Sequence, residues 1–395
     1  MKIKLPIDIC SITIIWILFW CSLSYIDPFS LGGISELTFI YVLYFLFVFC
    51  FFYIITLKKI HVKTISVEYS DRPVFYLYFI IIIIYLFLLM KVMSILSHQN
   101  IWEYRSKAFG SDTETSILFG DQKIRLIYSI LIEGAVYFLQ FFFLSSFIKK
   151  KNYKFLFYGF IIVVLMSIVM LGRSPIYYYI LMSIYAVLYL RKGYFSILVP
   201  ILSSVAVLIL FFLTEYRSGG TMDFSYFIDR YLFGYHLYGF NLFELEGGAN
   251  HFLPDSLWYG QATLGSFSYF SLYPIAKVIS PEILYYSSNE YLLKNLGVIL
   301  NNGSEANAFY TIFYDMFIDF AWLAPLIYGI AFGFIYGIIS KKTKANKNIN
   351  NYMLYFFLLN ISLGMIFRNP IATNGFVGFF IYYFIFNYLS IKKIR

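Results

Sequence analysis

Apolar segments about as long as a bilayer is thick dominate this sequence. Ten of them are bounded by charged residues, Pro or Gly: 7–26, 37–57, 73–93, 126–148, 155–171, 176–190, 195–213, 321–339, 352–367 and 376–390. A helix needs about 20 apolar residues to cross the hydrocarbon core. The chain is 61% hydrophobic and 13% charged, whereas a soluble domain is about one quarter charged. We therefore predict an all-α, polytopic integral membrane protein with about ten transmembrane helices, forming a single membrane domain over residues 1–395.

The positive charge follows the pattern expected of membrane topology. The formal net charge is +9, and the basic residues cluster in short segments between apolar runs. Cytoplasmic loops carry the excess of Lys and Arg. With the N-terminus inside, basic clusters occupy every second gap and both termini are cytoplasmic. Topology therefore explains the charge better than nucleic-acid binding does. The cysteines Cys10, Cys21 and Cys50 lie in apolar segments, where we interpret them as small buried hydrophobes and not as a disulfide framework.

Two segments on the predicted outer side are long. The first is an outside loop over residues 94–125, and the second is a large extracytoplasmic cap over residues 214–320, between helices 7 and 8. Apolar residues recur at helical spacing from Phe224 to Tyr235, which is typical of an interfacial amphipathic helix. The weaker apolar stretch from Phe267 to Ile279 is a candidate re-entrant segment, and a true crossing there would change the parity of the predicted topology.

Familiar catalytic motifs are absent from the sequence. It contains no phosphate-binding loop, no dinucleotide fingerprint, no paired metal-binding histidines and no nucleophile elbow. The predicted cytoplasmic loops are short, and their acidic residues are Glu68 and Asp71. This composition disfavours ATP or a nucleotide sugar as the energy source. We expect an already activated substrate reached from outside, with no cofactor and no metal.

Arginine is concentrated on the predicted outer side, whereas lysine clusters inside. Four outer arginines lie where a lipid headgroup would be: Arg173, Arg217, Arg230 and Arg368. The positive-inside rule treats Lys and Arg alike, so topology does not explain this separation. Guanidinium groups bind phosphate oxygens bidentately and keep their charge, which suits them to hold a pyrophosphate leaving group. The alternative for each one alone is an anchor at the lipid interface.

The cap also offers acid–base and stacking residues. One of the cap carboxylates or imidazoles could act as general base toward a sugar hydroxyl: Glu215, Asp223, Asp229, Glu244, Glu246, Asp255, Glu305, Asp315, Asp319, His236 and His251. Of these, Glu215, Asp229, His236 and Asp319 are the base candidates that we retain. The alternative for each is a solvated or salt-bridged residue. Tyr216 and Tyr310 are candidates for stacking on sugar faces, although an interfacial aromatic belt explains most such residues equally well.

Several short motifs and the architecture resemble those of the bacterial polysaccharide repeat-unit polymerases, the Wzy-type O-antigen and capsule polymerases. Gly-Arg-Ser-Pro at 172–175 opens a helix, Tyr-Arg at 216–217 ends one, and the run from Asn307 to Thr311 leads to Asp319-Phe320. The likeness extends over nearly the whole chain. It departs from the family at Ala321, where members tend to have glycine, and the spaced Arg–Gly pattern of some polymerases is not reproduced.

This resemblance implies a membrane-embedded glycosyltransferase. Such an enzyme transfers a growing glycan from undecaprenyl pyrophosphate onto an incoming lipid-linked repeat unit, and so builds the O-antigen of lipopolysaccharide, a capsule or an exopolysaccharide. By analogy, Arg173 and Arg217 contact the pyrophosphate. The supporting substrate contacts would be Arg230, Arg368, Tyr216, Tyr310 and Asn307.

The resemblance also implies a location and partners. The location is the bacterial inner (plasma) membrane, and the partners are the lipid-linked glycan donor and acceptor, the bilayer and a chain-length-regulating membrane protein. Two alternatives stay open. An O-antigen ligase shares the architecture and transfers finished polymer to a lipid A core. A polysaccharide flippase, which is a transporter, predicts a twofold repeat and no large cap.

Overall fold

The computed structural model describes residues 8–60, 71–98, 104, 117–190, 198–217, 223–227, 233–250, 257–271, 273–279, 298–299, 301, 305–306 and 310–392. Within these ranges the regular secondary structure is helical apart from one antiparallel pair of two-residue strands, β1 (Val298–Ile299) and β2 (Glu305–Ala306), and turns and loops connect the helices. Helices coincide with all ten predicted apolar segments. The helical class is thus confirmed, with this small strand pair as the departure from an all-α chain.

The first helices are α1 (Ile9–Ile26), α2 (Glu36–Lys59), α3 (Asp71–Leu96), α4 (Gln122–Ile127), α5 (Gly134–Lys150), α6 (Lys154–Met170), α7 (Ser174–Leu190) and α8 (Leu198–Arg217). The remaining helices are α9 (Phe224–Phe227), α10 (Tyr235–Leu245), α11 (Gln261–Ser271), α12 (Tyr273–Ile279), α13 (Ile312–Phe320), α14 (Ala324–Ala345), α15 (Ile349–Gly364) and α16 (Asn374–Lys392). A π-helical turn, Tyr128–Glu133, joins α4 to α5, and a 3₁₀ turn, Ala321–Leu323, joins α13 to α14.

Five helical stretches among the described residues are long and apolar enough to cross a membrane: Ile9–Ile26, Glu36–Lys59, Asp71–Leu96, Lys123–Lys150 and Ile312–Ala345. Four shorter apolar helices are Lys154–Met170, Ser174–Leu190, Ser203–Phe212 and Asn374–Leu389. The structure is therefore compatible with a multi-pass membrane protein. The number of ten spans and the orientation of the termini stay predictions.

Local sequence signals set several helix ends. The Asp8 carboxylate accepts the Ile9 N–H at the start of α1, and the Ser35 hydroxyl accepts the Thr38 N–H at the start of α2. Side chains of this kind satisfy N–H groups that have no partner in the first turn. Lys58 and Lys59 close α2, where a positive charge complements the helix dipole. The polar ends of these apolar helices are thus specified by the residues that flank them.

The chain divides into two compact units. Unit 1 comprises Met1–Thr64, Ile228–Asn346 and Phe357–Thr373. Unit 2 comprises Ile65–Phe227, Lys347–Phe356 and Asn374–Arg395. Helix α15 contributes residues to both units. Each unit has its own buried residues.

In unit 1, α2 and α14 pack at very short range along a row of glycines. Gly329, Gly333 and Gly337 recur every four residues and so lie on one face of α14. A Cβ on Gly333 would be 2.8 Å from the carbonyl oxygen of Phe49, and one on Gly337 would be 2.6 Å from the Cβ of Thr56. Small residues allow helix backbones to approach closely in lipid, where packing replaces the hydrophobic drive between helices. This glycine row therefore fixes the α2–α14 contact.

We expect Gly333→Ala to lower the free energy of unfolding by about 1–3 kcal/mol, because the new methyl group must push backbone atoms of α2 aside. The measurement is the unfolding of the purified protein by SDS titration in mixed micelles. Ile335→Ala on the same helix is the matched control, since that side chain is 44% exposed and should change stability little. Equal stability of Gly333→Ala and the parent protein would contradict this account of the contact.

In unit 2, α16 packs against the π-helical turn and α5. Gly134 and Gly378 face each other, and a Cβ on Gly378 would overlap the carbonyl oxygen of Ile130. The extra residue of a π-helical turn widens the helix locally, and such turns occur often at functional sites. The missing side chain at Gly378 is what allows α16 to lie directly on this widened turn.

The structure describes part of the predicted cap. In the predicted interfacial helix, α9 covers Phe224–Phe227, and residues 228–232 lie outside the described residues. The following helix, α10, is buried from His236 to Phe243 and packs against α1. The candidate re-entrant segment Phe267–Ile279 includes the end of α11 and all of α12, which are helices of 11 and 7 residues. Each is shorter than the roughly 20 residues that a crossing requires.

Candidate functional site

Arg173 lies in the turn between α6 and α7 of unit 2, and its side chain is held in place. Its Nη1 donates a hydrogen bond to the Thr214 hydroxyl on α8, with an N···O distance of 2.8 Å. Thr214 is 1% exposed and donates its own proton to the Leu210 carbonyl oxygen at 2.6 Å. Because the Thr214 hydroxyl is fixed by this second bond, it presents an oxygen lone pair to the guanidinium.

Arg217 ends the same helix that carries Thr214. It follows Thr214 by three residues, so its backbone is about 4.5 Å further along the helix axis. The structure therefore brings the Arg173 guanidinium and the backbone of Arg217 to one end of the α7–α8 pair. Half-buried Glu215 lies in the same turn of α8, beside Tyr216. Two arginines from separate sequence motifs thus share one end of unit 2.

In unit 1, Arg368 is exposed in the turn after α15. Its backbone N–H donates to the Gly364 carbonyl oxygen at 2.9 Å. The next residue, Asn369, is buried and anchors the turn. Its Nδ2 donates to Asp315 Oδ2 at 2.7 Å and to the Thr263 carbonyl oxygen at 2.9 Å. This buried amide fixes the backbone from which the Arg368 side chain projects.

Asp319, also in unit 1, is fully buried and accepts three hydrogen bonds. Its Oδ1 accepts the Ala262 N–H at 3.0 Å, and its Oδ2 accepts the Thr263 N–H at 2.8 Å. The Tyr328 hydroxyl donates to the same Oδ2 at 2.8 Å. The two backbone donors belong to the first turn of α11, where N–H groups lack partners within the helix. Asp319 therefore holds the start of α11 against α13.

His236 is packed among aromatic rings of unit 1. Its ring stacks on Trp20 with 4.2 Å between centroids, and Trp16 meets it edge-on at 5.7 Å. The side chain is 4% exposed. Phe367, which precedes Arg368, also contacts it, with centroids 6.4 Å apart. His236 thus belongs to the buried aromatic contact between α1 and α10.

Tyr310 is buried next to a carboxylate of unit 1. Its hydroxyl donates to Glu246 Oε1 at 2.9 Å, and its ring stacks on Tyr314 with 4.0 Å between centroids. One face of the Tyr310 ring is therefore covered by Tyr314. The covered face is not available to stack on a sugar.

Eight of the eleven predicted site residues are described by the structure, four in each unit. Arg173, Glu215, Tyr216 and Arg217 are in unit 2, while His236, Tyr310, Asp319 and Arg368 are in unit 1. Asp229, Arg230 and Asn307 lie outside the described residues. No sequence signal indicated that Thr214 or Asn369 positions an arginine. Asp315 is one of the predicted cap carboxylates, and it precedes Asp319 by four residues and so shares its helix face.

The described residues contain no group of three or more His, Cys, Asp or Glu side chains that could hold a metal ion. No protein-family model matches the sequence, and neither a curated protein nor a solved structure is significantly similar to it.

Proposed function

We propose that this protein is a membrane-embedded glycosyltransferase that polymerises polyprenyl-pyrophosphate-linked oligosaccharide repeat units. The main support for the proposal is the arrangement of residues at one end of the α7–α8 pair in unit 2. There the Arg173 guanidinium is fixed by Thr214, one helical turn from Arg217. Both arginines lie where an apolar helix meets a polar segment. This is the level at which a lipid carrier places its phosphates.

The chemistry of the transfer demands such a site. A hydroxyl of the acceptor sugar attacks the anomeric carbon of the donor glycan, and the bond from that carbon to the pyrophosphate oxygen breaks. The electron pair leaves with the pyrophosphate, whose charge therefore grows in the transition state. Guanidinium donors that are already oriented stabilise this charge without rearranging during the reaction. The Arg173–Thr214 hydrogen bond supplies that orientation.

The apolar helices complete the proposal. A polyprenyl chain stays in the bilayer while its diphosphate and sugars reach water, so the enzyme must combine lipid-facing helices with a polar end. In our proposed orientation both termini face the cytoplasm of a bacterial inner membrane, and the Arg173 end of unit 2 faces outward. The donor and acceptor then meet on the outer side, and chains of O-antigen, capsule or exopolysaccharide grow there.

The test is to reconstitute the purified protein in liposomes with polyprenyl-pyrophosphate-linked repeat units and to separate the products by gel electrophoresis. We expect a ladder of glycan lengths without added nucleotide sugar. Single-step transfer of glycan to a lipid A core acceptor would instead identify a ligase. Movement of the substrate across the bilayer with no new glycosidic bond would identify a transporter. Either result would overturn the proposal.

A further inference from the structure

Unit 2 contains a carboxylate that the proposed mechanism has not yet used. Glu133 is the last residue of the π-helical turn Tyr128–Glu133, inside the candidate membrane-spanning stretch Lys123–Lys150. It is half-buried. Ionisable residues within membrane-spanning helices are costly and mark functional sites by default. Glu133 therefore requires an explanation beyond packing.

The surroundings of Glu133 are suited to a negative charge. Its Cβ lies 3.6 Å from the position that a Cβ would take on Gly375, in the first turn of α16. Since Gly375 has no side chain, Glu133 and the Tyr137 ring lie directly against that turn. The first turn of a helix carries a partial positive charge, so a carboxylate is a favoured neighbour there.

Tyrosine side chains extend from the region of Glu133 to the last turn of α6, which precedes the turn that bears Arg173. Glu133 lies near enough to Tyr85 and Tyr128 to interact with both electrostatically, and the two hydroxyls are hydrogen-bonded at 3.0 Å. Tyr128 in turn interacts with Tyr104. The Tyr104 hydroxyl donates to the Val169 carbonyl oxygen at 2.8 Å, four residues before Arg173. Burial raises the pKa of Tyr104 to about 12, so this hydroxyl stays protonated and keeps donating.

The helices agree with this placement. Glu133 directly precedes α5, which packs against α7, and Arg173 directly precedes α7. The start of α16, beside Glu133, follows the last predicted outer loop. Both α5 and α7 have 17 residues, so in the proposed orientation Glu133 and Arg173 lie at a similar distance from the cytoplasmic ends of these helices. Glu133 then lies on the same side of unit 2 as the donor pyrophosphate end and not at the cytoplasmic side.

We propose that Glu133 is the general base of the transfer reaction. This inference rests on the function proposed above. As the acceptor hydroxyl attacks the anomeric carbon, its proton passes to a Glu133 oxygen. The glycosidic bond forms, the carbon–oxygen bond to the pyrophosphate breaks, and the pyrophosphate leaves with the electron pair toward Arg173. Glu133 then releases the proton to water or to the departing pyrophosphate, which restores the carboxylate.

Asp319 and His236, which are also base candidates among the described residues, lie in environments that differ from that of Glu133. Both oxygens of Asp319 are engaged by backbone and tyrosine donors, and the His236 ring is enclosed by tryptophans. Glu215, close in sequence to Thr214, is the remaining competitor in unit 2. It provides the matched comparison, because it is a half-buried glutamate in the same unit.

The experiment compares Glu133→Gln, Glu133→Asp and Glu215→Gln in the liposome assay, with kcat and KM for the lipid-linked acceptor. We expect Glu133→Gln to lower kcat about 100-fold with KM unchanged, since general-base catalysis contributes roughly that factor. Glu133→Asp keeps a carboxylate and should recover about a tenth of the parent kcat. Glu215→Gln tests the competing carboxylate and should lower kcat less than Glu133→Gln does, whereas Asp121→Asn, at an exposed carboxylate of the same unit outside the site, should leave kcat unchanged. Unfolding midpoints verify that each variant is folded.

Several results would overturn the assignment of Glu133. One is a Glu133→Gln protein with unchanged kcat, and another is a large loss of kcat in Glu215→Gln instead. If Glu133→Gln does not fold, the kinetics of Glu133→Asp test the assignment instead. A raised KM with an unchanged kcat in that variant would show that Glu133 binds substrate and would reject its role as general base. Failure of the parent protein to build any ladder would instead reject the proposed function, so the two failures are distinguishable.

Discussion

Replacing Arg173 by lysine should lower the rate of glycan chain growth about 1,000-fold while the protein remains abundant in the membrane, because a point charge cannot reproduce a planar, two-pronged donor. Arg217→Lys should have a comparable effect if both guanidinium groups hold the same pyrophosphate. The measurement is the initial rate of ladder formation in liposomes at saturating acceptor. Protein abundance is read from the same preparations by immunoblot. The charge is conserved in each variant, so a loss of rate reports donor geometry and not net charge.

The matched control is Arg72→Lys, since Arg72 is an exposed arginine at the start of α3 in the same unit. It should build the same ladder at the same rate as the parent protein.

A second pair of variants tests how Arg173 is held: Thr214→Val removes the acceptor hydroxyl, whereas Thr214→Ser keeps it. We expect about a tenfold loss for valine and near-parent activity for serine. Unchanged ladders from Arg173→Lys would remove this residue from the site.

Asp319→Ala should lower the free energy of unfolding by on the order of 4 kcal/mol, because it leaves three buried donors without an acceptor. Two of these donors are backbone N–H groups of Ala262 and Thr263, which no other residue replaces at the start of α11. The measurement is SDS titration of the purified protein in mixed micelles. A loss of this size reduces the ratio of folded to unfolded protein about 1,000-fold.

Variants that remove different donors or acceptors distinguish how much each of the three hydrogen bonds to Asp319 contributes to stability. Tyr328→Phe removes one donor but leaves both backbone bonds, so it should cost about 1 kcal/mol. Asp319→Asn keeps one acceptor oxygen, so its free energy of unfolding should lie between those of Asp319→Ala and Tyr328→Phe. A finding that Asp319→Ala is as stable as Tyr328→Phe would show that the backbone bonds to Asp319 contribute little. Activity measured on folded Asp319→Asn would show in addition whether this carboxylate takes part in chemistry.

The helix positions could be predicted from the sequence because a bilayer imposes a length on each apolar segment. Each predicted run from 7–26 to 376–390 coincides with a helix, since apolar length and flanking charge are local properties. Span assignment is harder. The stretch Lys154–Met170 is apolar but shorter than a full crossing, so composition alone does not show whether it crosses. Tilt and packing against neighbours decide this, and neither is encoded locally.

The residues of the candidate site could be predicted from their type and position, but the side chains and backbone groups that hydrogen-bond to them could not. Arg173 and Arg217 were predicted from their positions at helix ends, whereas Thr214, which fixes Arg173, is 41 residues away in the chain. Asp319 was predicted as a candidate base. Its two backbone donors, Ala262 and Thr263, are 57 and 56 residues away, and they became apparent only when the fold brought α11 to α13. Long-range pairings of this kind depend on tertiary packing, which a single sequence does not specify.

The glycine row of α14 has a consequence for biogenesis. The Lys341 Nζ donates to the Leu57 carbonyl oxygen at 2.7 Å across 284 residues, so the partner of α2 is synthesised long after α2 itself. At about 5–20 residues per second, the ribosome needs roughly 15 to 60 s to produce the intervening chain. During that interval the face of the nascent α2 that docks on α14 has no native partner, and lipid or an insertion chaperone must cover it. Truncated translation products that end before α14 should therefore be degraded faster than the full chain.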